Sequence, residues 1–214
     1  MDKAALSAAI KADSMNSFAH FDPADIIGAD TAAAVAVDDN IIIQGQICAA
    51  GSRMLADFCP PYQAEAVDRL LKQGYALAGH ANIDEFGIGG STESSYFGPT
   101  RNPLAPGHIC SGAAAAAAQG IVGAALIADA GGAAIRQAAF AGCAGYRPSY
   151  GMVSRYGLIA YVNSCEQIGG LARDIDTEAA PVQAVAGHDA KDATSLPQQG
   201  YDLSGGHDPA GLRI

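Results

Sequence analysis

Four clusters of residues in this chain have the types and spacing for chemistry. Asp38-Asp39 sets two carboxylates side by side, the arrangement in which differing environments split carboxyl pKa values into an acid and a base. His108, Cys110 and Ser111 bring an imidazole, a thiol and a hydroxyl within four positions, and a thiol whose pKa is lowered by an imidazole is a nucleophile. Ala130-Gly131-Gly132-Ala133 follows an apolar run from Ile121 to Ala128, and glycines at such a turn let main-chain N–H groups converge on a developing oxyanion or on a bound carboxylate. Finally, residues 84–103, DEFGIGGSTESSYFGPTRNP, combine adjacent acids, paired glycines, a Ser/Thr cluster and a Gly-Pro-Thr-Arg-Asn-Pro turn, a pattern too particular for core packing alone.

Each cluster also has a plainer reading. Consecutive residues in a strand point to opposite faces, so Asp38 and Asp39 are expected to share no proton and to sit in a solvated turn after a strand. His108 and Cys110 two apart fit ordinary loop packing. Gly131-Gly132 fits a tight strand-to-helix turn. Asp84 and Glu85 read as first-turn acids meeting a helix dipole. Arg136 has the planar fork to hold a carboxylate, or to pair with a structural acid such as Asp129. His80 reads as a satisfied strand-end histidine. His20, His188 and His207 lie in polar stretches without metal-ligand spacing, so no metal and no cofactor is expected.

The elements that must position these groups follow from periodicity. Residues 2–13 have helical composition, and residues 14–30, rich in Ser, Asn, Pro and Asp, read as loop. Thr31 to Val37 and Tyr75 to Ala78 are buried-strand candidates. Between them, residues 64–72 place Val67, Leu70 and Leu71 on one helical face, with Gly74 as the stop. Strand, helix and strand in that order predict parallel crossover units. The six alanines from Ala113 to Ala118 predict a small-residue helix whose role is packing. Residues 196–211 read as a connecting loop.

Composition narrows the function classes. With 214 residues, half of them hydrophobic, the chain is long enough for one substantial core. Twelve Lys plus Arg against 22 Asp plus Glu give a formal charge of −10, which opposes direct, charge-driven nucleic-acid binding. The five cysteines are odd in number and lack zinc-type pairing, so reduced, mostly buried thiols in a cytosol-like compartment are expected. No stretch approaches the roughly 18 apolar residues of a membrane helix. No targeting segment is visible, which suggests a cytoplasmic protein, or an organelle-matrix one after processing.

The stretch 84–103, together with Gly51-Ser52, Pro60-Pro61-Tyr62, Arg147-Pro148-Ser149-Tyr150-Gly151 and Val153-Ser154-Arg155-Tyr156-Gly157-Leu158, resembles the amidase-signature family, most of all its glutamine-hydrolysing branch that serves glutamyl-tRNA(Gln) amidotransferases. The resemblance implies an α/β fold, here an incomplete amidase-signature core with a mixed, mainly parallel sheet covered by helices. It implies an N-terminal helix and loop over residues 1–30 and the first half of the domain over residues 31–214, with Leu212-Arg213-Ile214 opening a further strand. It also implies a serine nucleophile, a second serine in a cis peptide and a proton-relaying lysine.

At the matching positions this chain departs from the family. Asp38 stands at the lysine position, where an ordinary carboxyl of pKa about 3.9 would be ionised at pH 7. Ile109 stands at the cis-serine position and Ala133 at the nucleophile position; a register one residue later selects Cys110 and Ala134 instead. Neither register supplies a hydroxyl for attack. The expected protein is therefore a catalytically impaired relative acting as a binding or scaffold component, with amidotransferase B- and C-like subunits covering the truncated sheet. The turn Ala130-Gly131-Gly132, flanked by Asp129 and Arg136, would remain as a site for a carbonyl or carboxylate. The alternative is an active amidohydrolase releasing ammonia from glutamine or another amide for Gln-tRNA formation, with Cys110 or Ser111 as the substitute nucleophile.

Overall fold

The computed structural model describes residues 2–28, 33–198, 200–203 and 210. Its centre is a five-stranded sheet assembled from Ala34–Asp38 (β1), Ala76–Ala81 (β2), Ala124–Asp129 (β5), Ala144–Tyr146 (β6) and Gln167–Ala172 (β7), in the order β2-β1-β5-β7-β6. Thr100–Arg101 (β3) and Ile109–Cys110 (β4) form a separate antiparallel ribbon. The main sheet is mixed, and its parallel share is smaller than the expected majority. β2/β1 and β1/β5 pair parallel, whereas β5/β7 and β6/β7 pair antiparallel.

Side-chain alternation along the strands divides the core in two. Ala36 on β1 and Ala125, Ile127 on β5 face a core shared with Leu6 and Ile10 of Lys3–Lys11 (α1), with the alanines of Gly112–Ala118 (α3) and with Ala134 and Ala138 of Ala133–Ala141 (α4). Val35, Val37, Leu126 and Ile168 point the other way, onto Val67 and Leu70 of Glu65–Lys72 (α2), Ile41 to Ile43, and Val185 of Ile175–Val185 (α5). All five residues of β1 and all six of β5 are buried, which is why they read as continuous apolar runs.

The anticipated helices form where their sequences specify them. After α2, the Tyr75 N–H donates to the Leu70 carbonyl and the Gly74 N–H to that of Leu71, with Gly74 at φ +83, so the chain closes in a Schellman turn that glycine favours. The alanine run is buried on all but its last residue. Its bulk-free N-terminus matters most: a Cβ on Gly112 would lie 2.2 Å from the Ser17 carbonyl oxygen and 2.4 Å from the Asn82 nitrogen. The helix therefore packs backbone to backbone against the N-terminal segment and the end of β2.

Residues 84–87 depart from expectation. Asp84 and Glu85 head no α-helix; Glu85–Gly87 is a single 3-10 turn in which Phe86 takes φ +54. Among the cysteines, Cys48 and Cys110 are buried, while Cys59 and Cys165 are exposed, so the thiols are less buried than predicted. No helix among the described residues is long and apolar enough to cross a membrane. The expected strand opening at residues 212–214, and half of the loop 196–211 before it, lie outside the described residues.

Candidate active site

The carboxyl ends of the parallel strands β1 and β5 converge on a small cavity lined by Asp38, Asp84, Ser91, Ser111, Ala128 and Ala133, among others. In open α/β sheets this is the end at which ligands bind. Asp38 ends β1, Asp84 and Ser91 lie in the loop after β2, Ser111 precedes α3, Ala128 belongs to β5 and Ala133 opens α4, so five parts of the fold supply the lining.

Asp38 is buried and its Oδ2 accepts a hydrogen bond from the Ala128 N–H at 3.0 Å. Its Oδ1 has no hydrogen-bond partner. Burial, reinforced by the negative charges of Asp39, Glu166 and Asp129 and only partly offset by the Ala128 N–H, raises its pKa well above the ordinary carboxylate range. The solvated, ionised carboxylate read from the sequence is thereby corrected: burial and the neighbouring carboxylates hold the acid toward its neutral form. Asp38 and Asp39 do part company as strand geometry requires. Asp39 is also buried, accepting from Ala49 N–H at 3.2 Å and Gly51 N–H at 2.9 Å on the opposite side of the strand.

Ala133 presents a methyl group at the first position of α4. The preceding Gly132 sits at φ +87, a conformation that costs other residues, and it turns β5 directly into the helix. Asp129 fixes this turn: its Oδ1 accepts from the Gly132 N–H and its Oδ2 from the Ala134 N–H at 3.0 Å. The Gly132 N–H is thus committed to a carboxylate within the chain, and it is not free for an oxyanion. Ala130 and Gly131 complete the turn, with Gly131 exposed. Arg136 does not pair with Asp129. Its Nη2 donates to the Gly89 carbonyl, and Arg147 makes the Asp129 ion pair at 3.2 Å.

Between the two candidate cis-serine positions and Ser111, the structure brings Ser111 to the cavity. Ile109 sits in β4 paired with Arg101, and Cys110 is paired with Thr100. Burial pushes the Cys110 thiol up to about 12, and its Sγ faces the Arg101 carbonyl at 3.7 Å, so the activation by His108 considered from the sequence has no basis. The Ser111 hydroxyl caps α3, accepting from the Ala114 N–H at 3.2 Å, while the Ser111 N–H donates to Gln137 Oε1 at 2.9 Å.

The Ser/Thr-rich stretch after β2 is organised by one acid. Asp84 accepts from the N–H groups of Ser91, Thr92 and Ser94 at 2.6, 2.9 and 2.9 Å, and from the Ser94 hydroxyl at 2.9 Å. Burial alone would raise its pKa, but these donors outweigh it and hold the carboxyl below its usual range. Glu85 accepts from the Ser52 hydroxyl at 2.7 Å. Asp84 therefore organises the rim of the cavity by gathering a loop, not by capping a helix.

The cavity thus lies at the strand carboxyl ends of a mixed α/β sheet, with the glycine-turned helix α4 on one side and the serine-capped helix α3 on another. The family model described as Amidase matches residues 32–214, and the chain belongs to that family. The A subunit of glutamyl-tRNA(Gln) amidotransferase from Methanospirillum hungatei is 46% identical over 184 residues, covering 84% of this chain and 42% of that protein. The corresponding subunit from Thermus thermophilus is 50% identical over 166 residues, covering 76% and 35%. Among solved structures, the A subunit from Thermotoga maritima superposes with TM-score 0.85 at 33% identity, covering 92% of this chain and 46% of that one. The native peptide amidase of Stenotrophomonas maltophilia gives TM-score 0.83 at 27% identity, with 95% and 49% covered. The chain thus spans less than half the length of these relatives.

Proposed function

We propose that this chain is a catalytically impaired relative of the amidotransferase A subunit, acting as a binding or scaffold component that keeps the amidase cavity without its reaction. The observation that carries this reading is the pairing of Asp38 with Ala133 in one cavity. By the family resemblance, Ala133 falls at the position of the attacking hydroxyl and Asp38 at that of the basic lysine; in support, the two line one cavity, one as a methyl group and the other as a buried acid with a raised pKa. Nucleophilic catalysis needs both an attacking atom and a group that takes its proton. The natural partners are proteins of the amidotransferase B- and C-subunit type, in keeping with the relatives' description as subunits. Any contribution to Gln-tRNA formation would run through them, since the chain's net charge of −10 disfavours direct RNA contact.

One observation favours the alternative of a working amidohydrolase: Ser111 supplies a hydroxyl to the same cavity that Asp38 lines. Ammonia release from glutamine decides between them. The purified chain, alone and mixed with amidotransferase B and C subunits, is expected to give only the uncatalysed rate. A variant carrying Asp38→Lys, Ile109→Ser and Ala133→Ser tests whether the scaffold supports a restored triad; Asp38→Lys with Cys110→Ser and Ala134→Ser tests the other register. Release by the unaltered chain that is abolished by Ser111→Ala overturns the impaired reading.

A further inference from the structure

Away from the amidase cavity, on the opposite side of β1, three side chains from distant parts of the sequence meet. One potential ligand atom from each of His20, Asp39 and His80 lies within 4.8 Å of the other two. His20 Nε2 is 3.5 Å from Asp39 Oδ1, and the two imidazole centroids are 5.4 Å apart. Asp39 and His80 are fully buried, and the His20 side chain is 20% exposed.

The hydrogen bonding of His80 leaves one of its ring nitrogens with a lone pair. His80 Nε2 lies 3.1 Å from the Ile41 carbonyl oxygen, which makes that nitrogen the proton carrier and leaves Nδ1 as an acceptor. Among the described residues, His80 Nδ1 is buried without a hydrogen-bond partner, and His20 Nε2 has no hydrogen bond and faces Asp39 Oδ1 at 3.5 Å. A buried, unpaired imidazole nitrogen is costly unless something occupies it. A histidine whose far N–H is anchored on a backbone carbonyl is the usual outer arrangement of a metal ligand. Asp39 is anchored in the same way, its two oxygens held by the Ala49 and Gly51 N–H groups.

The backbone holds the three residues as firmly as it holds the sheet. The Ala19 N–H donates to the His80 carbonyl at 3.1 Å, and the Asp39 N–H donates to the Ala81 carbonyl at 3.1 Å. Asp25 adds negative potential at both imidazoles. In a tetrahedral zinc site with bonds of about 2.0–2.1 Å, donor atoms stand roughly 3.3–3.4 Å apart. The His20–Asp39 separation of 3.5 Å lies close to that edge, and the other donor separations, all within 4.8 Å, contract to it on binding by small side-chain shifts.

We propose that His20, Asp39 and His80 form a binding site for a divalent transition ion of the zinc class, tying the segment after α1 to β1 and β2. Two imidazoles and one carboxylate select Zn2+, Co2+ or Ni2+ over Mg2+ and Ca2+, which require more oxygen donors. Three protein ligands leave a fourth position on the His20 side, the accessible side of the cluster. The site faces away from Asp38 and Ala133, so it is independent of the reading of the amidase cavity.

The test uses the full chain with Cys59→Ser and Cys165→Ser, which removes the exposed thiols as competing ligands, stripped with a chelator and titrated with Zn2+ alone by calorimetry. Co2+ is titrated in parallel for its visible d–d absorption. The expected result is one saturable equivalent of Zn2+, a tetrahedral-type Co2+ spectrum, no binding of Mg2+ at the same concentration and a Zn2+-dependent rise in Tm. Loss of an outer partner typically weakens a metal site about 10–100-fold, so removing a ligand with His20→Ala should weaken Zn2+ by at least about 100-fold. Because His20 is partly exposed, that variant is expected to keep its far-ultraviolet circular dichroism. His80→Gln provides the second ligand loss, read by the Co2+ spectrum. Absence of saturable Zn2+ binding in the parent overturns the proposal, as does binding of unchanged affinity in folded His20→Ala.

Discussion

The two aspartates at the end of β1 are neighbours in the chain and opposites in the molecule. Asp39 is matched on both oxygens by main-chain N–H groups and faces two imidazoles. Among the described residues Asp38 has one N–H donor and one bare oxygen, and the carboxylates of Asp39, Glu166 and Asp129 act on it. Both are buried, so the difference lies in what the fold supplies around each. One side of the strand supplies donors to both oxygens of its carboxylate, and the other supplies a single donor and holds Asp38 toward its neutral form.

The contrast is broken most severely on the Asp39 side. Asp39→Ala strips the partners from two buried N–H groups, each worth about 1–3 kcal/mol when left unsatisfied. A loss of at least about 3 kcal/mol is expected in urea unfolding, with Tm lower by roughly 6–12 °C for a domain of this size.

Asp38→Asn should act in the other direction and with a pH signature. A carboxyl whose folded pKa is raised contributes stability that is fully present below its unfolded pKa and is lost as pH rises through the folded value. Asparagine keeps the acceptor for Ala128 and has no proton to lose. Its Tm advantage over the parent should therefore be larger at pH 8 than at pH 5 and should vanish near pH 3. An advantage of equal size at pH 8 and pH 3 would show that Asp38 is not held in its neutral form.

Ser111→Ala is the smallest perturbation on the cavity side. It removes the cap of α3, at a cost of about 1 kcal/mol, measurable as a shift in denaturation midpoint. The backbone of α3 should be otherwise unaltered, because its N-terminus is fixed by the close contact at Gly112.

How much of this was legible in the sequence differs between the two sides in the same way. The strands β1 and β5 show as apolar runs, and α2 shows through Val67, Leu70 and the Gly74 stop, because these features depend on local spacing. The convergence of positions 38 and 133 followed from family resemblance, and the arrival of Ser111 in place of Ile109 depended on a short antiparallel ribbon that no local pattern announces. The His20 cluster was illegible. Its members are 19 and 41 positions apart, His20 sits in a segment with no periodicity, and only the pairing of that segment against β2 brings them together. Asp84 misled for a related reason: adjacent acids before an apolar residue suit a helix start, but Phe86 in a left-handed conformation ends the turn at once and frees the carboxylate for more distant donors.

The gathered loop has a consequence for motion. Residues 88–99 contain no strand or helix, yet three of their amide groups and a hydroxyl end on the single carboxylate of Asp84. The segment therefore opens as one cooperative unit, not by gradual fraying, and its amide hydrogens should exchange with solvent at a common rate set by how often that one acid lets go.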